Sequence, residues 1–169
     1  MSFDISVMGT PGSGSDFKIA ERSSAETLAD LPPAGLELID GPYTVTLATL
    51  ATGGRMQLSP MWFRAAPDGR HVELNTVRGR VKYHHIRRHP EVSVQIIDPT
   101  NPYRWLTIYG RSVDEIDEDD PERGRLATES IDALAQLYVN QSPYPFRIDG
   151  EVRTLFLVAP TQIVTFGVS

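Results

Sequence analysis

The chain of 169 residues contains no cysteine, which excludes disulfides, thiolate nucleophiles and cysteine-ligated metals. It holds no apolar run near the ~18 residues that cross a bilayer as a helix, and no basic-then-apolar opening of the signal-peptide kind. The expectation is a cytoplasmic protein with no membrane partner. Net positive charge is also missing: 16 Lys and Arg against 22 Asp and Glu leave a formal net charge of -6. Binding a phosphate backbone usually requires a broad basic face, so nucleic acid is not the expected partner. Adjacent His84 and His85 would project about 100° apart on a helix, and His89 stands outside it, before the proline that stops it. No metal is expected. Nor do the residues assemble a nucleophile with its base and orienter, so no catalytic side chain is nominated. Such a pattern fits a redox enzyme in which a cofactor carries the reaction.

Ordinary fractions of hydrophobic (40%) and charged (22%) residues indicate a soluble globular chain, and the length suits one core. Residues 1–22 are read as a disordered N-terminal arm and 23–169 as a single domain. GTPGSGSD lacks the Gly-Lys-Ser/Thr ending of a phosphate loop and follows no strand. Ser23 to Glu26 has capping-box spacing and predicts a short helix ending before Pro32-Pro33. A short turn is expected around Leu36 to Ile39. Strands are predicted over Tyr43–Leu50, Met56–Arg64, His71–Thr76, Val92–Ile97, Trp105–Val113, Val152–Ala159 and Gln162–Phe166, with turns at Thr52-Gly53-Gly54 and Pro67-Asp68-Gly69. The acidic stretch Asp114–Glu122 reads as a solvated loop leading into a helix capped by Asp120, with Pro121 first. That helix should pack Leu126, Leu134, Leu137 and Tyr138 on the sheet. The fold class is mainly β with short helices, a six- to seven-stranded antiparallel barrel.

Against the acidic background, Arg78, Arg80, Lys82, Arg87 and Arg88 crowd one segment that holds no carboxylate. Concentrated cations in an acidic chain point to a local anion site. The segment reads as a helix from Gly79 to Arg88, stopped by His89-Pro90, whose unpaired N-terminal amides already favour an anion. Arg87 and Arg88, in the last turn, are explained by the helix dipole alone. Arg80 and Lys82 oppose the dipole, and a phosphate explains them better.

The strings LNTVRGRVKYHHIRRHPEVSV and MQLSPMWF resemble the flavin and deazaflavin split-barrel superfamily of pyridoxamine 5'-phosphate oxidase, from about Gly41 to Arg111. The resemblance implies a split β-barrel and a homodimer with the cofactor at its interface. It implies that Arg80 and Lys82, with Arg78 beside them, hold the cofactor phosphate and that Arg55 reaches it from across the barrel. It further implies that Gln57, Ser59, Pro60, Met61 and Trp62 line the ring system, with Asn75 and Thr76 as a polar pair beside it. For Met56 and Met61, core filling is a commoner role than cofactor contact. The string DPTNPYRWLTIYGR resembles the branch that uses the deazaflavin coenzyme F-420, which implies that Tyr103 and Trp105 face the partner chain's site. Packing accounts for those two aromatics equally well.

Two functions follow. One is hydride transfer from reduced F-420 to an unsaturated or conjugated small molecule, with FMN as the alternative cofactor; the surplus of cations suits a polyglutamate-bearing deazaflavin. The other is a non-catalytic module that binds a flavin, haem or a haem product. The oxidase ends in a segment carrying arginine and histidine for its substrate. This chain ends TFGVS, so pyridoxamine phosphate oxidation itself is not expected.

Overall fold

The computed structural model describes residues 22–168, so the arm expected over 1–22 lies outside them except for Arg22. One antiparallel sheet contains β1 (Arg22–Ala25), β2 (Val45–Leu50), β3 (Met56–Met61), β4 (Arg64–Ala65), β5 (Val72–Val77), β6 (Glu91–Asp98), β7 (Asn101–Asp117) and β8 (Arg153–Phe166). Helices α1 (Pro33–Asp40), α2 (Val81–Arg88) and α3 (Gly124–Val139) connect them. The strand order is β3-β2-β6-β7-β8-β5-β4, with β1 beside β8. Seven strands thus curl into the half-barrel of a split-barrel fold.

Alternation along β2 and β6 turns Val45, Leu47, Val92, Val94 and Ile96 inward, where they meet Leu106, Ile108, Phe156 and Val158. Helices α1 and α2 add Leu38, Ile39, Tyr83 and Ile86 to this core. Each such side chain contributes about 1.5–3 kcal/mol on burial.

The strand expected from Met56 to Arg64 breaks at Trp62-Phe63. These two residues join the ends of the sheet path, β3 and β4. The chain itself closes the barrel where the ladder stops. Tyr138 of α3 fastens this seam. Its hydroxyl donates to the Tyr43 carbonyl (2.6 Å) and accepts from the Phe63 N–H (3.2 Å).

Strands β2, β7 and β5 run in one direction, since each is antiparallel to the strand between it and the next. Leu50, Val77 and Asp117 therefore finish at one end of the barrel, where β8 begins. Helix α2 spans this end. Tyr83 packs on Phe156 with ring centroids 6.0 Å apart, His85 Nδ1 meets Thr49 Oγ1 at 3.1 Å, and Arg88 bonds the Thr52 hydroxyl.

Several expectations are corrected. No helix starts at Ser23: β1 pairs with β8, and Ser23 bonds Thr165 side chain to side chain at 2.6 Å, so an open strand edge overrides local spacing. The capping contact lies further on, where the Asp30 carboxylate accepts from the Thr27 N–H (2.9 Å) and hydroxyl (2.7 Å) around a single 3-10 turn. That turn ends before Pro32-Pro33 as expected, and Pro33 then opens α1, as suits a residue with no N–H to donate. The acidic run is half strand, because β7 continues to Asp117 along β8. The two C-terminal strands are one, β8. In α3, Leu126 is exposed, and the buried stripe is Ala127, Ser130, Ile131, Leu134 and Ala135.

Candidate functional site

Strand β5 ends at Val77, and Gly79, at φ +87°, turns the chain into α2. Arg80 is the extended N-cap residue; its N–H reaches the Val77 carbonyl (3.2 Å) and its own carbonyl receives the His84 N–H (3.3 Å). The Arg80 side chain is exposed and Lys82 is half-buried. Burial first, and then neighbouring Arg80, hold the Lys82 ammonium below the ordinary lysine value. Arg55 lies exposed in the β2–β3 hairpin at the same end of the barrel.

Among the described residues, none of Arg55, Arg80 and Lys82 forms an ion pair, whereas their neighbours are engaged. Arg78 forks onto Asp119 (2.8 and 2.5 Å) and meets Asp117 at 2.7 Å, which raises its pKa. Arg87 pairs with Glu115 at 3.1 Å. The same acidic run engages Arg123 through Asp114 and Arg147 through Glu118. Burial alone would raise the Glu118 pKa, but bonds from Arg147, Thr128 and the Arg153 N–H outweigh it and hold the carboxyl down at about 2.

The other predicted residues separate. In β3 the register pairs Gln57, Ser59 and Met61 with inward Thr49, Leu47 and Val45, while Pro60 pairs with Thr46 on the outer face. Ser59 is buried, Gln57 and Met61 are half-buried, and Pro60 is exposed. A period of two cannot turn consecutive residues toward one ring. Trp62 stacks on Tyr138 (centroids 5.1 Å, 17°) and meets Tyr144 edge-on at 6.2 Å. Asn75 and Thr76 are both buried and, as strand neighbours, face opposite ways. Asn75 Nδ2 donates to the Ala127 carbonyl under α3 (2.9 Å), leaving its Oδ1 without a partner. The Thr76 hydroxyl, at the strand end that leads to α2, has no partner either. Trp105 stacks on Phe166 (5.8 Å, 14°), and Tyr103 is exposed. Met56 is 56% exposed on the outer face, so it is not core filler.

A family model for pyridoxamine 5'-phosphate oxidase matches residues 31–164. The chain belongs to the pyridoxamine 5'-phosphate oxidase family. This split-barrel family comprises flavin-type oxidoreductases. Among solved structures, an F-420 reductase is 28% identical at a TM-score of 0.64, covering 79% of this chain and 98% of that one. A conserved hypothetical protein of Mycobacterium tuberculosis (21% identity, TM-score 0.56) covers 75% of this chain and 79% of its own. HupZ of Group A Streptococcus (13%, TM-score 0.55) covers 82% and 95%. The last two share the fold alone. No curated protein matches the chain.

Sequence reasoning missed two features of this family member. One is the pairing of the acidic run with Arg78 and Arg87, for which the signal was the presence of two opposite charge runs of similar length. The other is Tyr138, read as a packing residue although a buried tyrosine hydroxyl needs a partner. A tyrosine in the last turn of a helix gives no indication of which seam it will bridge.

Proposed function

We propose that this chain is an oxidoreductase that uses a deazaflavin, with Arg80 and Lys82 binding the cofactor phosphate and Arg55 assisting from the hairpin. One observation carries the reading: these three cations lack carboxylate partners among the described residues, at a barrel end where Arg78 and Arg87 are neutralised. The residues fit a phosphate-bearing group. The α2 amides and two cations converge on one turn, and the buried Thr76 hydroxyl beside it has no partner. When bound, a reduced deazaflavin supplies a hydride to an electron-poor or conjugated acceptor. The chain's own part is to hold the phosphate and to shape an apolar surface with Trp62, Tyr138 and Tyr144.

Likeness to an F-420 reductase favours the deazaflavin over FMN. A homodimer is part of the proposal. Met56 (56% exposed), Leu58 (66%) and Tyr109 (43%) stand on the outer face of β3, β2, β6 and β7, an apolar surface suited to a second copy.

Fluorescence titration with F-420 and with FMN tests the reading. Arg80→Ala and Lys82→Ala should each cost about 1.5–3 kcal/mol, ten- to hundredfold in affinity. Unchanged affinity for both cofactors would remove the phosphate assignment. Tight FMN binding with no F-420 binding would move the chain to the flavin branch.

A further inference from the structure

We infer that Arg78 is a positioning residue that fixes the phosphate-binding turn and does not itself contact the anion. The inference rests on the phosphate reading of Arg80 and Lys82 proposed above. Three observations carry it. First, both Nη atoms of Arg78 are engaged, with Asp119 at 2.8 and 2.5 Å and Asp117 at 2.7 Å. Two carboxylates around one guanidinium form a cluster of net charge -1, which repels a phosphate.

Second, the turn is lightly held. Gly79 is exposed, and a Cβ built there would meet nothing within 4 Å. Apart from the Arg78 side chain, two backbone bonds hold it: the Arg80 N–H to the Val77 carbonyl at 3.2 Å and the Arg78 N–H to the Val152 carbonyl at 2.9 Å. Third, the carboxylates sit on a fixed support. The Glu118 N–H donates to the Arg153 carbonyl (2.8 Å), and the Glu118 side chain takes bonds from Arg147 and Thr128. Arg78 therefore ties the β5–α2 turn to the β7–α3 connection, and that tie sets where Arg80 and Lys82 point.

The two roles predict opposite signs for one substitution. Were Arg78 an anion ligand, Asp119→Asn would free it and remove a nearby negative charge, and anion binding would tighten. As a positioning residue, Arg78 loses its anchor and binding weakens. Asp119 is the better target, since it is exposed and its side chain bonds only Arg78 among the described residues, whereas Asp117 also accepts from Thr154 (2.5 Å).

F-420 titration of the full chain should show Arg78→Ala and Asp119→Asn each weakening binding about two- to fivefold, with the pair no worse than Arg78→Ala alone. A second readout needs no ligand. Exchange of the His84 amide, which bonds the Arg80 carbonyl, should accelerate in Asp119→Asn. Tighter or unchanged binding in Asp119→Asn, or an unchanged His84 exchange rate, overturns the positioning role. Failure of the phosphate reading would appear separately, as Arg80→Ala and Lys82→Ala without effect while His84 exchange still responds to Asp119→Asn.

Discussion

Tyr138→Phe isolates the fastening of the barrel seam. The substitution removes one oxygen and keeps the ring, so the stack on Trp62 at 5.1 Å survives. Lost are the donation to the Tyr43 carbonyl at 2.6 Å and the acceptance from the Phe63 N–H at 3.2 Å. Phe63 is fully buried, so little water can replace the hydroxyl beside its amide. At about 0.5–1.5 kcal/mol per hydrogen bond, the cost should be about 1–3 kcal/mol. For a chain of this size each kcal/mol lowers the melting temperature by about 2–4 °C. Urea unfolding should show a lower midpoint with an unchanged slope, because the surface exposed on unfolding stays the same. Amide exchange adds a local readout: the Phe63 N–H should lose protection more than amides of β6 or β7. Tyr144→Phe is the control, since no hydrogen bond engages the Tyr144 hydroxyl among the described residues; its midpoint should stay within about 0.5 kcal/mol of the parent. If Tyr138→Phe were equally silent, the seam would be closed by chain continuity and packing alone, and the hydroxyl would be incidental.

Two further predictions concern the same architecture. Because Lys82 is held below the ordinary lysine value, an anion that favours its charged form should bind more weakly as pH rises through that lowered pKa, at a lower pH than a free lysine at about 10.4 would give. Lys82→Arg, which stays charged, should flatten the profile in calorimetric titrations between about pH 7 and 10; identical slopes would show that Lys82 does not sense the ligand. Gly110 lies at a bulge of β7 where an added Cβ would come within 2.7 Å of both the Ala159 carbonyl oxygen and Val158 Cγ1. Gly110→Ala should therefore destabilise by about 1–3 kcal/mol, read as a lower urea midpoint, and an unmoved midpoint would mean that the strands can part.

Strands were legible wherever alternation was clean. The runs over Tyr43–Leu50 and Val92–Ile97 show apolar residues at every second position, and β2 and β6 bury those positions. Glycine and proline marked the turns at Gly53-Gly54 and Gly69, all at positive φ. What was not legible depended on a neighbour far along the chain. Ser23 to Glu26 has helical spacing but lies against the β8 edge, and Asp114 to Asp117 look solvated until β8 pairs with them. At the site, the cationic turn was readable because α2 and its charges are contiguous. The ring-lining set was not, since Gln57 to Trp62 were taken as one surface although a strand divides them between two. Asn75 and Thr76 divide in the same way.

The same distinction bears on how an acidic chain can carry the proposed anion site. Net charge of -6 argues against phosphate binding only if the field is uniform. Here the carboxylates of Asp114 to Asp119 are paired locally, with Arg123, Arg87, Arg78 and Arg147. The one-to-one pairs are close to neutral beyond a Debye length of about 8 Å at physiological salt, while the Arg78 cluster, with two carboxylates, keeps a net charge of -1. Among the described residues, the cations left without a carboxylate at this end are Arg55, Arg80, Lys82 and Arg88, the last bonded to the Thr52 hydroxyl. Composition counts charges, whereas affinity depends on which of them are left unpaired. On the proposed phosphate reading the acidic run is then part of the site: by engaging Arg78 and Arg87 it keeps them from widening the basic surface.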